Sequence, residues 1–292
     1  MVNAETKLHN AIDPYVTKAK TAQPDMRSAQ IAINCLDLTS LTGAETDKDI
    51  DNLCTKAIAD NAAAMCLYPE HIQQAANILK DTDIAIATVI NFPTGWQRNN
   101  GDIATIDTTR ADILEAVDNG ATEIDIVADF EKFKSMENGA EADIRDMIQA
   151  AKEACGESVK LKVIVESAAF GQLEELQHIT ELALESGADF VKTSTGKHED
   201  GGADLESVAV MALTVKKHNE LSAKSCGLKI SGGVNGRNYP QFIALTQGIL
   251  ATEVLNKEHF RFGASGVYAD LKAILNTGVK PAPRRAATAH SY

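Results

Sequence analysis

The feature that most constrains this chain is a regular alternation of short apolar runs with amphipathic helical segments, sustained from about residue 30 to residue 278. Each apolar run is long enough for one buried strand and too short for a buried helix. Such runs fall at 31–36, 62–67, 84–90, 123–127, 160–165, 190–193, 227–230 and 259–262. Helical spacing fills the intervals near 47–60, 105–119, 140–155, 172–186, 204–220 and 266–276, and Pro69 suits a first helical turn. Within 47–60, Ile50, Leu53, Cys54, Ala57 and Ile58 recur at spacings of three and four, and Thr46 with Asp49 approaches a capping box. Gly120, Gly156 and Gly187 stand where helices close in a left-handed turn. Strict alternation implies parallel strands joined by right-handed crossovers. Eight units predict a closed α/β architecture, the (β/α)8 TIM barrel. The competitor, a doubly wound open sheet, usually carries a glycine-rich fingerprint after its first strand, and none appears. NGATEIDIV at 119–127 and SGADFVKTS at 186–194 echo one another as the same helix-to-strand turn.

The flanks read differently. Residues 1–30 form a polar, weakly periodic N-terminal helical arm, broken at Pro24-Asp25. Residues 279–292 carry two prolines and no apolar period, so a mobile C-terminal tail is expected after a 31–278 barrel domain. The formal charge of −13 argues against nucleic acid and against a membrane surface, because the only basic cluster is Arg284-Arg285 in the tail. No apolar stretch reaches 18 residues, and the first 30 lack an apolar signal region. Five cysteines at scattered spacings suggest buried thiols in a reducing cytoplasm rather than disulfides or zinc.

In a barrel of this kind the chemistry lies at the C-terminal strand ends. Asp37, Cys66, Asn91, Asp125, Lys162, Lys192, Lys229 and Ser265 are read there, at gaps that match the repeat. Strand parity sends Leu161, Val163 and Val165 outward and Lys162, Ile164 and Glu166 inward. It likewise turns Asp125, Val127, Lys192 and Lys229 inward. A charge-balanced polar plug would satisfy these facts. So would an activated amine, since lysines on neighbouring strands repel and desolvation disfavours the charged form. A neutral amine can attack a carbonyl and form a Schiff base, with an aspartate relaying protons. Gly232-Gly233 after the seventh run and Gly263-Ala264-Ser265-Gly266 after the eighth offer backbone N–H groups to an anion, and Lys197 adds a cation. A Gly-Gly pair alone is more often a tight turn.

The run Lys192-Thr193-Ser194-Thr195-Gly196-Lys197, preceded by Gly187-Ala188-Asp189-Phe190-Val191, resembles the Schiff-base signature of the deoxyribose-phosphate aldolase family. Other matching blocks are Leu36-Asp37-Leu38-Thr39, Cys66-Leu67-Tyr68-Pro69, Asn91-Phe92-Pro93, Glu123-Ile124-Asp125-Ile126-Val127, Leu161-Lys162-Val163-Ile164, Leu228-Lys229 with Gly232-Gly233, and Arg261-Phe262-Gly263-Ala264-Ser265. They occur in family order over about residues 31–275. The resemblance implies a class I aldolase without metal or cofactor. It would reversibly cleave 2-deoxy-D-ribose 5-phosphate to acetaldehyde and D-glyceraldehyde 3-phosphate. By position, Lys192 would form the Schiff base, Lys229 would lower its pKa, and Asp125 would relay protons. Asp37 and Lys162 would complete the polar network. Gly196, Lys197, Gly232, Gly233, Ser265 and Gly266 would hold the phosphate. Tyr292, at the chain end, would fold over the mouth and assist proton transfer next to the imine.

Two departures bear on the phosphate. Gly266 stands where the family often has a second serine, and Asn235 where it often has arginine, with Arg237 two residues on. Cys66 lacks a histidine partner in its segment and reads as a buried thiol open to aldehydes. Trp96 is expected to pack in a βα loop, and the histidines show no metal spacing. The expected partners are small phosphosugars and aldehydes, with a homo-oligomer allowed. The rival readings are a transaldolase-like phosphosugar lyase and a non-catalytic phosphosugar-binding protein.

Overall fold

The computed structural model describes residues 4–277. Eight strands, β1 (Leu36–Thr39), β2 (Ala64–Leu67), β3 (Ala85–Ile90), β4 (Glu123–Val127), β5 (Lys160–Ile164), β6 (Phe190–Lys192), β7 (Gly227–Ser231) and β8 (Phe260–Ala264), close into one barrel in chain order. All eight neighbouring pairs are parallel. Among the described residues the helices are α1 (Ala4–Ala19), α2 (Met26–Asn34), α3 (Asp47–Asp60), α4 (Ile72–Leu79), α5 (Ile106–Asp118), α6 (Phe130–Lys134), α7 (Ala140–Cys155), α8 (Leu173–Glu185), α9 (Leu205–Leu221), α10 (Tyr239–Leu250) and α11 (Tyr268–Thr277). The result is a (β/α)8 TIM barrel, as the alternation predicts.

Local chemistry sets several boundaries. Thr46 caps α3, accepting from the Asp49 amide while the Asp49 side chain accepts from Thr46 N–H. Thr105 and Thr108 cap α5 in the same reciprocal way. Gly120 (φ +107°) and Gly187 (φ +106°) turn the chain out of a helix into the next strand, a backbone that L side chains rarely adopt.

Three sequence expectations change. Residues 26–34 are helix α2, and the first strand begins only at Leu36, so the strand expected at 31–36 is largely helical. The reason is local: Asp25 caps the segment with Ser28 in a capping box, and Ala29, Ala32 and Ile33 then share a buried helical face. Second, spacing predicts no helix between the seventh and eighth runs, yet Tyr239–Leu250 is helix α10, which carries no clear amphipathic period. It packs against α1, α2 and α9, so Tyr239, Phe242, Ile243, Leu245, Thr246 and Ile249 are all buried and no polar stripe is left. Third, Trp96 does lie in the loop after β3, which folds into a small hairpin through the Gln97–Ile103 bridge, but its side chain is 45% exposed.

Helix α1, the expected arm, packs across α8, α9 and α10 and buries Ile12 and Val16. All five cysteines are buried and unpaired. Among the described residues no helix is long and apolar enough to cross a membrane. The expected tail at 279–292 lies outside the described residues.

Candidate active site

The polar residues that parity turns inward meet inside the barrel. Asp125 stands at the centre. Its Oδ1 accepts from Lys162 Nζ at 2.7 Å, and its Oδ2 accepts from Lys229 Nζ at 2.8 Å and Lys192 Nζ at 3.0 Å. Lys229 also binds Asp37 Oδ2. Asp37, Asp125, Lys162, Lys192 and Lys229 are thus one hydrogen-bonded cluster, and each is at most 2% exposed.

The cluster sits lower than the sequence reading placed it. Asp37, Asp125, Lys162 and Lys229 lie within their strands; Lys192 ends β6, and Asn91 and Ser265 follow theirs. The charged side chains therefore form an interior layer, with Lys192 on its upper side. Cys66 points into this layer, its Sγ 4.0 Å from Asp125 Oδ2. Burial pushes that thiol up, so it is a protonated spectator in the resting site.

Two members went unassigned in the sequence. Arg261 Nη1 donates to Asp37 Oδ1 at 2.6 Å, and Arg261 Nη2 to Glu123 Oε1 at 2.8 Å. Lys162 Nζ lies 2.7 Å from Glu123 Oε2. The signal was available: Asp125 points inward, so Glu123, two residues earlier on β4, does too. Arg261 precedes Gly263 by two in the same way. Gly263 itself belongs to β8 rather than to the following loop. A Cβ there would come within 2.9 Å of Lys229 Cε, so the glycine makes room for the lysine stem.

Register explains why the cluster needs its carboxylates. Lys192 pairs with Lys229 across β6–β7, and Lys229 pairs with Arg261 across β7–β8. Like charges directly opposite repel. Asp37 from β1 with Glu123 and Asp125 from β4 compensate this cationic row. Burial would raise the Asp37 carboxyl, but Lys229, Arg261 and Lys162 outweigh it and hold it below its ordinary value. Burial is likewise outweighed at Asp125 by Lys162, Lys192 and Lys229. Conversely, burial would lower Lys162 and Lys229, yet their carboxylate partners hold both above the ordinary lysine value.

The candidate phosphate residues gather where the loops after β6, β7 and β8 adjoin. Gly232 (φ +82°) and Gly233 (φ +79°) follow β7. Gly232 is pressed between Gly202 and Ser194: a Cβ would meet them at 2.8 and 3.1 Å. Ser231 Oγ donates to Ser194 O, tying the β7 turn to the β6 loop that carries Gly196 and Lys197. Ser231 pairs with Gly263, which puts Ser265 at the neighbouring strand end, three residues before α11. Asn235 spends its amide on the turn itself, donating to Gly233 O at 2.9 Å and accepting from Arg237 N–H. Gly266 has open space where a Cβ would stand and needs no left-handed backbone. Tyr292 lies outside the described residues.

Among the described residues no group of three or more His, Cys, Asp or Glu side chains is placed to hold a metal ion.

The chain matches the family described as DeoC/LacD family aldolase over residues 31–269. Solved structures share the fold. A candidate deoxyribose-phosphate aldolase from Toxoplasma gondii ME49 superposes with a TM-score of 0.76 at 21% identity, covering 86% of this chain and 98% of its own. A candidate deoxyribose-phosphate aldolase from Coccidioides immitis gives 0.70 at 23% identity, covering 93% and 98%. The deoxyribose phosphate aldolase from Aeropyrum pernix, described as a unique tetramer, gives 0.67 at 20% identity, covering 91% and 98%.

Proposed function

This chain belongs to the DeoC/LacD family of aldolases, and on that premise we propose that it cleaves 2-deoxy-D-ribose 5-phosphate reversibly through a Schiff base on Lys192. The observation that carries this reading is the charge balance of the buried cluster. Three carboxylates (Asp37, Glu123, Asp125) face four basic groups (Lys162, Lys192, Lys229, Arg261). Like charge and desolvation both disfavour a full set of four cations in this interior. Lys162 and Lys229 each contact two carboxylates closely, whereas Lys192 contacts only Asp125. Among the described residues Lys192 is therefore the lysine with the fewest close carboxylate partners, and the reading assigns it the imine.

A neutral Lys192 can donate one N–H to Asp125 and keep its lone pair for attack. The lone pair adds to the C1 aldehyde of the open-chain sugar. Loss of water then gives the protonated imine. Removal of the C3 hydroxyl proton breaks the C2–C3 bond, and its electron pair moves into the enamine. D-Glyceraldehyde 3-phosphate leaves. Protonation at C2 and hydrolysis release acetaldehyde and regenerate the amine. Asp125, held ionised by three lysines, accepts and returns protons through water. The 5-phosphate lies against the N–H groups of Gly196, Gly232, Gly233, Ser265 and Gly266, with Lys197 as counter-charge.

Borohydride reduction with acetaldehyde, followed by peptide mass mapping, tests the reading. A two-carbon adduct on Lys192 and product formation from the phosphosugar are expected. An adduct on another lysine, or none, would sink it, and phosphosugar binding without turnover would favour a binding protein.

Two further outcomes are expected. Lys229→Leu removes the cation that pairs with Lys192 across β6–β7 and so relieves the like-charge repulsion between them. The acidic limb of the pH–rate profile should move to higher pH. A profile that loses height without moving would remove the charge-balance argument. Gly266→Ser adds a hydroxyl in open space, and one added hydrogen bond to a phosphate should lower KM for the phosphorylated substrate by about threefold to tenfold. KM for unphosphorylated deoxyribose should stay unchanged; a parallel change in both would place Gly266 away from the phosphate.

A further inference from the structure

Glu166 is a buried acidic residue near the site that the mechanism leaves unused. It follows β5, is 0% exposed, and holds a left-handed backbone (φ +54°) that a non-glycine residue rarely adopts. Its Oε1 has no hydrogen-bond partner. A buried carboxylate oxygen without a partner and a strained backbone are both unfavourable, and they persist where the surroundings require them. Both serve a single contact. Glu166 Oε2 accepts from Thr195 N–H at 3.0 Å and from the Thr195 hydroxyl.

That contact organises the loop after β6. Because the Thr195 hydroxyl gives its proton to Glu166, its oxygen is left to accept, and Lys197 N–H donates to it at 3.0 Å. Of three successive amides, those of Thr195 and Lys197 are thus taken up inside the protein. Among the described residues the amide between them, on Gly196 (φ +74°), has no such partner. The alternation leaves one N–H outside the bracket. Ser167 and Ser194 hydroxyls, 3.3 Å apart, join the same two segments, one residue after Glu166 and one before Thr195. Burial pushes the Glu166 carboxyl up, while Thr195, His198 and Lys192 oppose the shift.

We propose that Glu166 is a positioning residue for phosphate recognition: through Thr195 it fixes the loop so that Gly196 N–H and Lys197 face the substrate phosphate. The inference rests on the phosphate reading of that loop given above. It assigns Glu166 no part in imine chemistry, so phosphate recognition and Schiff-base formation separate on its removal.

The test compares KM and kcat for 2-deoxy-D-ribose 5-phosphate and for 2-deoxy-D-ribose, alongside borohydride trapping with acetaldehyde. Glu166→Met keeps an unbranched stem of similar length and removes the acceptor that meets the Thr195 N–H and hydroxyl. It should raise KM for the phosphorylated substrate about tenfold, the effect of losing one hydrogen bond to a charged group. Its kcat, its constants for deoxyribose and its trapping should stay at the wild-type level. Thr195→Val should reproduce the effect without altering Glu166, and Thr195→Ser should restore the wild-type value. Glu166→Gly, which accepts the left-handed backbone, should lose phosphate preference as fully as Glu166→Met. If Glu166→Gly keeps the preference, the turn matters and the carboxylate does not, and the inference falls. It falls equally if the wild type prefers the phosphorylated sugar while Thr195→Val retains that preference. A wild type indifferent to the phosphate overturns the phosphate reading, and this inference with it.

Discussion

Lys192→Arg is expected to abolish both turnover and borohydride trapping. Arginine keeps a positive charge and can reach Asp125, which Lys192 contacts at 3.0 Å. It cannot supply a lone pair, because the guanidinium stays protonated at any pH the protein survives. The loss should be at least about 10⁴-fold in kcat, the scale seen when a covalent nucleophile is removed. Fixing a fourth permanent cation in the cluster also leaves one charge uncompensated, so some loss of thermal stability is expected. Circular dichroism and thermal unfolding would show whether the fold persists. Activity retained within tenfold of wild type, in a folded protein, would mean that Lys192 forms no imine. Trapping that moves to Lys229 or Lys162 would instead mean that the neutral amine had been assigned to the wrong strand.

How much of this site the sequence disclosed depends on the range of the interaction. The strand period is local, and it was enough to turn Asp125, Lys162, Lys192 and Lys229 into the barrel, where they meet. The same period pointed at Glu123 and Arg261. They escaped notice because Glu123 opens its strand and Arg261 follows one aromatic and precedes another. Height along the barrel was harder to read. Each strand end was judged by itself, whereas the interior layer depends on the register between strands, which joins Asp125 to Lys162 and Lys192 to Lys229. Helix α10 was hidden for a related reason: neighbours on more than one side leave it no polar stripe. Glu166 was read as inward, but nothing in its segment announced Thr195, 29 positions away. Its positive φ is equally silent in the sequence, since the position is not glycine.

Arg261→Met is expected to destabilise the barrel strongly at neutral pH. Methionine keeps an unbranched stem beside Phe190, whose ring centre lies 5.8 Å from the guanidinium carbon. What disappears is the charge that bridges Asp37 to Glu123. Removing one partner of a buried ion pair costs roughly 3–5 kcal/mol, because the remaining charge stays buried without its full compensation. In a chain of this size that corresponds to a fall of about 10 °C in Tm. The pH dependence distinguishes lost charge from lost packing. In the wild type the Asp37 carboxyl is held below its ordinary value of 3.8, first against burial and then by Lys229, Arg261 and Lys162. Its contribution is therefore complete above about pH 4 and is lost as pH falls toward the lower folded value. Without Arg261 one of those opposing charges is gone and the folded carboxyl titrates higher. The variant then loses less on acidification than the wild type does. The gap between their melting temperatures should narrow between about pH 4 and about pH 2. A cavity or a misfitted methionine would cost the same at both. Glu123→Gln combined with Arg261→Met removes a carboxylate along with its guanidinium, and should recover part of the loss at pH 7. A gap independent of pH, with no recovery in the double variant, would show that Arg261 holds the barrel floor by packing and leaves the charge balance of the site to the lysines.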